Sequence, residues 1–306
     1  MTLPQLSGDK PFITDGGLET SLVFQAGLEL PDFAAFPLLD SESGRAALAD
    51  YYAPYLSIAH RLGVGVVVDT PTWRANLDWG ARIGYDDLRL AAVNRDAVRF
   101  VRDLAAERSG LVAVTNGVIG PRGDGYVVGS TMSTAEAASY HGVQARAFDE
   151  AGADMISAIT MTYAAEAIGI VRAAVAVGLP VVVSFTVETD GVLPSGQTLG
   201  GAISEVDAAT DGAPAYYMIN CAHPTHFAAA LETDAAWLAR VKGVRANASR
   251  LSHEELDAAD DLDRGDTAEL AEHYRELGST LDLRVVGGCC GTDHEHVAAI
   301  AERLVA

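Results

Sequence analysis

Residues Gly63–Pro71 have the sequence GVGVVVDTP, an almost unbroken apolar run that ends in Asp69 and Thr70. β-Branched side chains favour strands, and a strand that is apolar on both faces is typical of a parallel sheet covered on both sides. Asp69 and Thr70 would then lie at the carboxyl end of the strand, where α/β barrels carry their active sites. The stretch predicts a buried parallel strand with polar residues at its functional end.

The same pattern recurs in both directions along the chain. Seven further strands are predicted at Pro11–Gly17, Leu111–Gly117, Ala153–Thr160, Pro180–Val187, Ala215–Cys221, Val244–Ser249 and Leu283–Cys290. Apolar residues at three- and four-residue spacing predict helices between them, at Arg45–Leu62, Asp87–Glu107, Thr134–Ala151, Ala164–Val177, Pro224–Leu231, Thr267–Leu277 and Asp293–Val305. The acidic stretch Ser252–Asp266 is predicted to be a long loop after the seventh strand.

Eight parallel strands that alternate with helices predict a (β/α)8 TIM barrel. A length of 306 residues with 49% hydrophobic residues suits one such barrel, so residues 1–306 are predicted to form a single domain. The alternative is an open doubly wound sheet, which needs a glycine-rich phosphate-binding turn after its first strand. The turn Asp15-Gly16-Gly17-Leu18 does not match GxGxxG, and this favours the barrel.

The composition excludes several classes of partner. The chain has 42 acidic and 21 basic residues and a net charge of −21, which disfavours binding to nucleic acid or to an anionic membrane surface. No apolar stretch approaches the roughly 20 residues that cross a bilayer, so a cytoplasmic protein is expected. Three cysteines do not indicate a disulfide framework, and we expect free thiols or metal ligands. The sequence does not indicate an oligomeric state.

Polar residues and cysteines mark the predicted strand ends: Asp15, Asp69, Thr70, Asn116, Thr160, Thr186, Glu188, Asn220, Cys221, Asn247, Cys289 and Cys290. All three cysteines of the chain belong to only two of the eight ends. Three thiolates suit a tetrahedral zinc ion with one open position. The alternative is three buried apolar cysteines, a common fate of free cysteine. The run Gly-Gly-Cys-Cys-Gly, whose glycines allow a sharp bend, favours the metal site.

Five motifs resemble those of the homocysteine S-methyltransferase family, which includes betaine–homocysteine methyltransferase. They are DGGLET at residues 15–20, DTPTWRAN at 69–76, SFT at 184–186, INCAHP at 219–224 and GGCCGT at 287–292. The matches occur in order from residue 11 to residue 296 and so cover nearly the whole chain. The Asn-Cys element and GGCCGT are the specific ones.

The resemblance implies a barrel in which Cys221, Cys289 and Cys290 bind Zn²⁺ and serve catalysis. A small-molecule thiol acceptor, usually homocysteine, would take a methyl group from a small sulfonium or ammonium donor and give methionine, a step of methionine biosynthesis. Zinc deprotonates a coordinated thiol and leaves a lone pair for attack. The substrate pocket implied by the family motifs and the strand ends consists of Asp15, Gly16, Gly17, Thr70, Trp73, Thr160, Thr186 and Asn220. Packing is the alternative role for Trp73.

The chain departs from the family pattern at the end of the fourth strand. The family generally has a glutamate there that holds the amino group of homocysteine, whereas this chain has Ile159. Glu19, Glu188 or Asp190 would have to supply the negative charge from another direction, the alternative for each being an ordinary loop position. The acceptor is therefore less well defined by the sequence than the thiol chemistry, and the methyl donor is not defined at all.

Two other functions stay open on the sequence alone. One is a zinc hydrolase, although that chemistry usually employs histidine and carboxylate ligands, because three thiolates reduce the acidity of bound water. The other is a non-catalytic or divergent relative that binds zinc and a different thiol or selenol. The isoleucine at position 159 is consistent with the second alternative.

Overall fold

The computed structural model describes residues 3–231, 234–259 and 261–305. Eight parallel strands pair in chain order, and β1 also pairs with β8, which closes the barrel. The strands are β1 Phe12–Ile13, β2 Val66–Asp69, β3 Ala113–Ile119, β4 Met155–Met161, β5 Val181–Phe185, β6 Tyr216–Asn220, β7 Val241–Ala246 and β8 Val285–Gly288. The predicted single-domain (β/α)8 barrel is confirmed.

Helices surround the barrel. They are α1 Leu18–Thr20, α2 Glu42–Leu62, α3 Leu77–Arg82, α4 Asp87–Ala106, α5 Thr134–Ala151, α6 Ala164–Val177, α7 Leu199–Thr210, α8 Pro224–Phe227, α9 His253–Asp257, α10 Thr267–Leu277 and α11 His294–Val305. Short 3₁₀ segments lie at Pro4–Leu6, Pro31–Phe33, Phe36–Asp40, Ala228–Leu231 and Ala236–Arg240, and a π-helical turn lies at Ser21–Gln25. None of the described helices is long and apolar enough to cross a membrane.

The structure differs from the sequence prediction mainly in three elements. Helix α7 was not predicted, because two glycines in its first turn weaken the helical pattern. Strand β7 begins and ends three residues earlier than predicted, since Lys242 and Gly243 interrupt its apolar run. The predicted loop Ser252–Asp266 contains the short helix α9, which a capping box between Ser252 and Glu255 begins.

Two apolar layers support the barrel. The smaller layer fills the barrel interior with side chains that include Val67, Val118 and Ile159. The larger layer lies between the strands and the helices. There the buried ring of Phe148 on α5 packs against β3 at Gly117, where a Cβ atom would lie only 2.6 Å from the Phe148 Cγ atom. A glycine is therefore needed at this contact.

We expect Phe148→Ala to lower the free energy of unfolding by about 3–5 kcal/mol, because it leaves a cavity between α5 and β3 that the barrel wall cannot collapse to fill. Urea unfolding followed by circular dichroism measures the change. The control is Val175→Ala on the outer face of α6, where the side chain is 55% exposed and the effect should stay within about 0.5 kcal/mol. Equal effects of both substitutions would contradict this account of the core.

Candidate active site

A cavity of about 370 Å³ opens at the carboxyl ends of the strands. It contains most of the residues that the sequence singled out: Asp15, Gly16, Gly17, Glu19, Thr70, Trp73, Thr160, Asn220, Cys221, Cys289 and Cys290. Thr186 and Glu188, also predicted to contact substrate, are not among its lining residues. Thr186 is fully buried, and the Glu188 carboxylate contacts His253 with 3.1 Å between Oε1 and Nδ1. The barrel thus brings one group of strand ends together and leaves the end of β5 outside.

The three cysteines meet at one wall of this cavity. Their sulfur atoms all lie within 4.8 Å of one another, although Cys221 follows β6 and the other two follow β8. The Cα atoms of Cys221 and Cys289 are 5.3 Å apart, and the structure joins these two residues in a disulfide while Cys290 is free. The sequence predicted no disulfide. A Cα separation of this size permits either a disulfide or two ligands of one metal ion. The two states exclude each other, because a metal ligand must be a thiolate and a disulfide has none.

The donor set in its reduced form fits a zinc ion. Zinc–thiolate bonds of about 2.3 Å in a tetrahedral site place sulfur atoms about 3.8 Å apart. The three sulfurs are close enough to reach this arrangement with small side-chain rotations. Burial raises the pKa of the Cys290 thiol, so a thiolate at this position needs a neighbouring positive charge. Within the described part of the chain, these cysteines form the one cluster of three or more side chains suited to holding a metal.

Backbone geometry aims two side chains at the cavity. Thr160 and Cys221 have φ angles of +63° and +53°, a left-handed conformation that is costly for residues with a Cβ atom. The Asn220 side chain lies between them: its Oδ1 accepts from the Thr160 N–H, and its Nδ2 donates to Thr160 Oγ1 at 2.8 Å and to Cys221 Sγ at 3.1 Å. Asn220 therefore holds the end of β4 and the first cysteine together.

The two glycines after Asp15 allow close packing of the first and last turns of the barrel. A Cβ atom on Gly16 would lie 2.7 Å from the Thr292 carbonyl oxygen, and one on Gly17 would lie 2.7 Å from that of Cys289. The Gly17 N–H already donates to the Thr292 carbonyl at 3.0 Å. The Asp-Gly-Gly turn thus supports the Cys-Cys loop directly, and the Gly17 amide is not free to bind a substrate.

Arg245 is a buried cation that the sequence analysis did not single out. It comes from β7 and forms ion pairs with Asp15 and Asp69, with 2.5 Å between its Nη2 and Asp15 Oδ1. Tyr51 also donates to Asp15, and Asn116 donates to Asp69. An arginine within a predicted barrel strand was the signal that could have revealed this residue, because a buried charge needs partners.

Burial raises the pKa of Asp15 to about 7, against the lowering effect of Arg245. One guanidinium shared between two carboxylates cannot compensate both charges, so a proton on Asp15 brings the trio to neutrality. Burial likewise raises the pKa of Glu19 to about 7. Asp15 is thus committed to Arg245 and Tyr51, whereas Glu19 lines the cavity and its carboxylate forms no ion pair within the described residues.

Ile159 lies where the fourth strand enters the cavity. Its side chain is buried in the interior layer beside Val118 and also lines the cavity. The floor of the site is apolar at this point, and β4 offers no charge to a substrate there.

Three more of the cavity residues that the sequence analysis did not single out are relevant to the chemistry of the site. Tyr126, in the loop between β3 and α5, places its hydroxyl 3.4 Å from Cys290 Sγ. Its ring stacks on His253, with 4.1 Å between centroids, and His253 Nε2 lies 2.5 Å from the Cys221 carbonyl oxygen. The third, Arg74, follows Trp73 in the loop after β2. Tyr126 and His253 come from segments with no predicted helix or strand, so their convergence left no signal in the sequence, whereas Arg74 belongs to the DTPTWRAN motif at residues 69–76.

Comparison with known proteins agrees with the motifs. The family model described as homocysteine S-methyltransferase matches residues 12–304. The homocysteine methyltransferase MmuM from Escherichia coli has a similar structure: its oxidized form is 21% identical with a TM-score of 0.77, and 97% of each chain is covered. Its metallated form is 21% identical with a TM-score of 0.75, covering 97% of this chain and 98% of that one. At this level of identity, the structural likeness shows a shared fold.

The raised pKa of Asp15 predicts a pH-dependent stability. The unfolded chain releases this proton near its ordinary pKa of 3.8, whereas the folded protein keeps it up to about pH 7. The stabilisation is therefore complete below about pH 4 and declines as the pH rises to about 7, by at least ~1 kcal/mol. Urea unfolding between pH 5 and pH 8 should show a shallower decline for Asp15→Asn than for the control Asp50→Asn, which removes an exposed carboxylate. Identical slopes in the two variants would refute the prediction.

Proposed function

Because the chain belongs to the homocysteine S-methyltransferase family, we propose that it transfers a methyl group to a thiol activated by zinc at Cys221, Cys289 and Cys290. Family membership makes the protein a methyltransferase, and this favours the enzyme over the hydrolase and non-catalytic alternatives. The observation that carries the zinc proposal is the meeting of three sulfur atoms from two separate strand ends in one cavity. The metal would occupy the reduced form, since a disulfide offers no thiolate ligands.

The zinc ion would lower the pKa of the acceptor thiol and so supply a nucleophile at neutral pH. The protein positions the ligands. Asn220 Nδ2 donates to Cys221 Sγ, and the Tyr126 hydroxyl lies within hydrogen-bonding reach of Cys290 Sγ. Such contacts orient ligand sulfurs and disperse their negative charge. His253 contributes by fixing the Cys221 backbone through its carbonyl oxygen.

We propose that homocysteine is the acceptor and that Glu19 binds its ammonium group. Asp15 is already paired with Arg245, and Ile159 has no charge. Glu188 contacts His253 but is not itself a cavity-lining residue. Of the acidic residues that the sequence offered for this role, Glu19 is the one that lines the cavity and forms no ion pair in the described part of the chain. A substrate ammonium beside it would favour the ionised form of this buried acid.

The donor is proposed to be a small sulfonium or quaternary ammonium compound. Aromatic side chains line the cavity and attract a positive charge through their ring faces: Phe24, Phe33, Trp73 and Tyr126. An onium centre held between these rings and the acceptor sulfur would lose its methyl group by direct displacement. In this proposal the zinc ligands serve the acceptor and the aromatic lining serves the donor.

The zinc proposal is tested by metal content. We expect the reduced protein to bind one zinc ion per chain, and Cys290→Ser to weaken zinc binding by more than about 100-fold and abolish thiol-dependent methyl transfer. Elemental analysis and a chelator competition assay measure zinc, and mass spectrometry of the thiol product measures transfer.

The folded state of Cys290→Ser is checked by its urea unfolding curve. Oxidised wild-type protein, in which Cys221 and Cys289 are joined, should bind zinc only after reduction. Full methyl transfer by metal-free protein would overturn the zinc proposal.

The acceptor proposal is tested with Glu19→Gln. Loss of a charge pair in a partly enclosed site should raise the KM for homocysteine about 10-fold or more, with kcat changed by less than about 2-fold. 4-Sulfanylbutanoate, which is homocysteine without its amino group, should be used equally well by both proteins. Glu29→Gln, at an exposed position, is the matched control. An unchanged KM for homocysteine would rule out the ammonium contact.

A further inference from the structure

Arg74 lacks the partners that buried arginines normally have. Its Nε and Nη1 atoms are shielded from solvent and have no hydrogen-bond partner. Every other arginine that is at least partly buried has an ion pair or a hydrogen bond within the described residues, and only the exposed Arg99 and Arg146 have neither. A guanidinium deprived of water without a partner is costly, so this arrangement requires a reason.

The guanidinium is held in a fixed orientation by two indole rings. It lies 3.8 Å from the centroid of Trp79 and 4.8 Å from that of Trp73. Trp79 is itself fixed by a hydrogen bond from its Nε1 to the Gly123 carbonyl oxygen. Stacking on both rings restricts rotation of the long side chain. Because Nε and Nη1 are shielded from solvent, Nη2 is the remaining nitrogen that can face a ligand. The guanidinium is therefore preorganised to present Nη2 to an anion.

The carboxylates of the protein do not use these N–H groups. Asp124 is the largest electrostatic neighbour of Arg74, but its Oδ1 accepts from the backbone N–H groups of Tyr126 and Val127. Glu19 also influences Arg74 without forming an ion pair with it. Burial lowers the pKa of the Arg74 guanidinium, which agrees with the lack of a compensating partner.

Arg74 lines the same cavity as the three cysteines. We propose that Arg74 is the anion-binding residue of this cavity and forms an ion pair, through Nη2, with a carboxylate group of a bound substrate. Arg245, the other cavity arginine, is saturated by Asp15 and Asp69 and cannot take this role. A hydrogen bond from a guanidinium to a carboxylate is stronger than one between neutral groups, because both partners are charged.

The carboxylate has two sources. The carboxylate belongs either to the thiol acceptor or to the onium donor. The inference rests on the proposed function in one respect, since it takes these two compounds as the substrates of the cavity. If it belongs to the acceptor, Glu19 and Arg74 together would recognise the ammonium and carboxylate groups of an α-amino acid. If it belongs to the donor, the onium compound must be a zwitterion rather than a simple cation.

The experiment compares two pairs of compounds that differ only in a carboxylate. The acceptor pair is homocysteine and 3-aminopropane-1-thiol, and the donor pair is trimethylglycine and tetramethylammonium. Binding to the reduced, zinc-loaded enzyme is measured by isothermal titration calorimetry for wild type, Arg74→Gln, Arg74→Lys and Arg99→Gln. Arg99→Gln is the matched control because it removes an exposed arginine that also lacks an ion pair.

In the pair that carries the recognised group, wild type and Arg99→Gln should bind the carboxylate form about 30-fold more tightly than the other form. Arg74→Gln should lose this preference, and Arg74→Lys should keep part of it, since lysine retains the charge but not the planar group that stacks on the two indoles. The pair that shows the effect identifies the source. A preference that survives in Arg74→Gln, or no preference in either pair for wild type, overturns the proposal.

The two proposals fail separately. If methyl transfer is absent with every thiol and donor while the Arg74-dependent preference persists, the proposed reaction is wrong and the anion-binding residue stands. If transfer proceeds in wild type and in Arg74→Gln with equal KM values, the reaction stands and the role of Arg74 is wrong.

Discussion

The mouth of the barrel depends on the buried cation Arg245. Its guanidinium joins the end of β7 to Asp15 after β1 and Asp69 at the end of β2, and its Nε donates to the Gly288 carbonyl on β8. One side chain thus ties together four of the strands whose ends surround the cavity. Breaking such a group by removing one partner is far more costly than any exposed ion pair, because the charges left behind stay buried.

That arrangement fixes the position of the cysteines. The turn after Asp15 packs on the Cys289 and Thr292 carbonyls so closely that only glycine fits at positions 16 and 17. On the opposite side, the left-handed conformation of Cys221 aims its sulfur across the cavity toward β8. Two rigid supports therefore bring the sulfurs together whether the site holds a disulfide or a metal ion. In the proposed zinc enzyme, the oxidation state of Cys221 and Cys289 would decide whether the site can hold a metal ion.

Some charged side chains of the cavity form ion pairs with one another, and others have no ion-pair partner in the described part of the chain. Asp15, Asp69 and Arg245 pair with one another and serve structure. Glu19 and Arg74 line the same cavity and have no ion-pair partner within the described residues. An unpaired carboxyl group and an unpaired guanidinium in one cavity suit a zwitterionic ligand. The apolar side chain of Ile159 has no charge or hydrogen-bonding group to offer such a ligand. In the proposed function, specificity therefore rests on Glu19 in α1 and Arg74 in the loop after β2 rather than on the fourth strand.

The sequence by itself determined the barrel and the cysteine trio. Apolar runs such as Val66–Asp69 mark parallel strands wherever they occur, and the order of strands fixes which ends share a face, so Cys221, Cys289 and Cys290 could be placed together without coordinates. Tertiary structure alone decided the partners of each charge. The pairing of Arg245 with Asp15 joins residues 230 positions apart, and the unpaired state of Arg74 depends on two indoles and a distant loop. Such contacts arise from packing in three dimensions, where local periodicity carries no information.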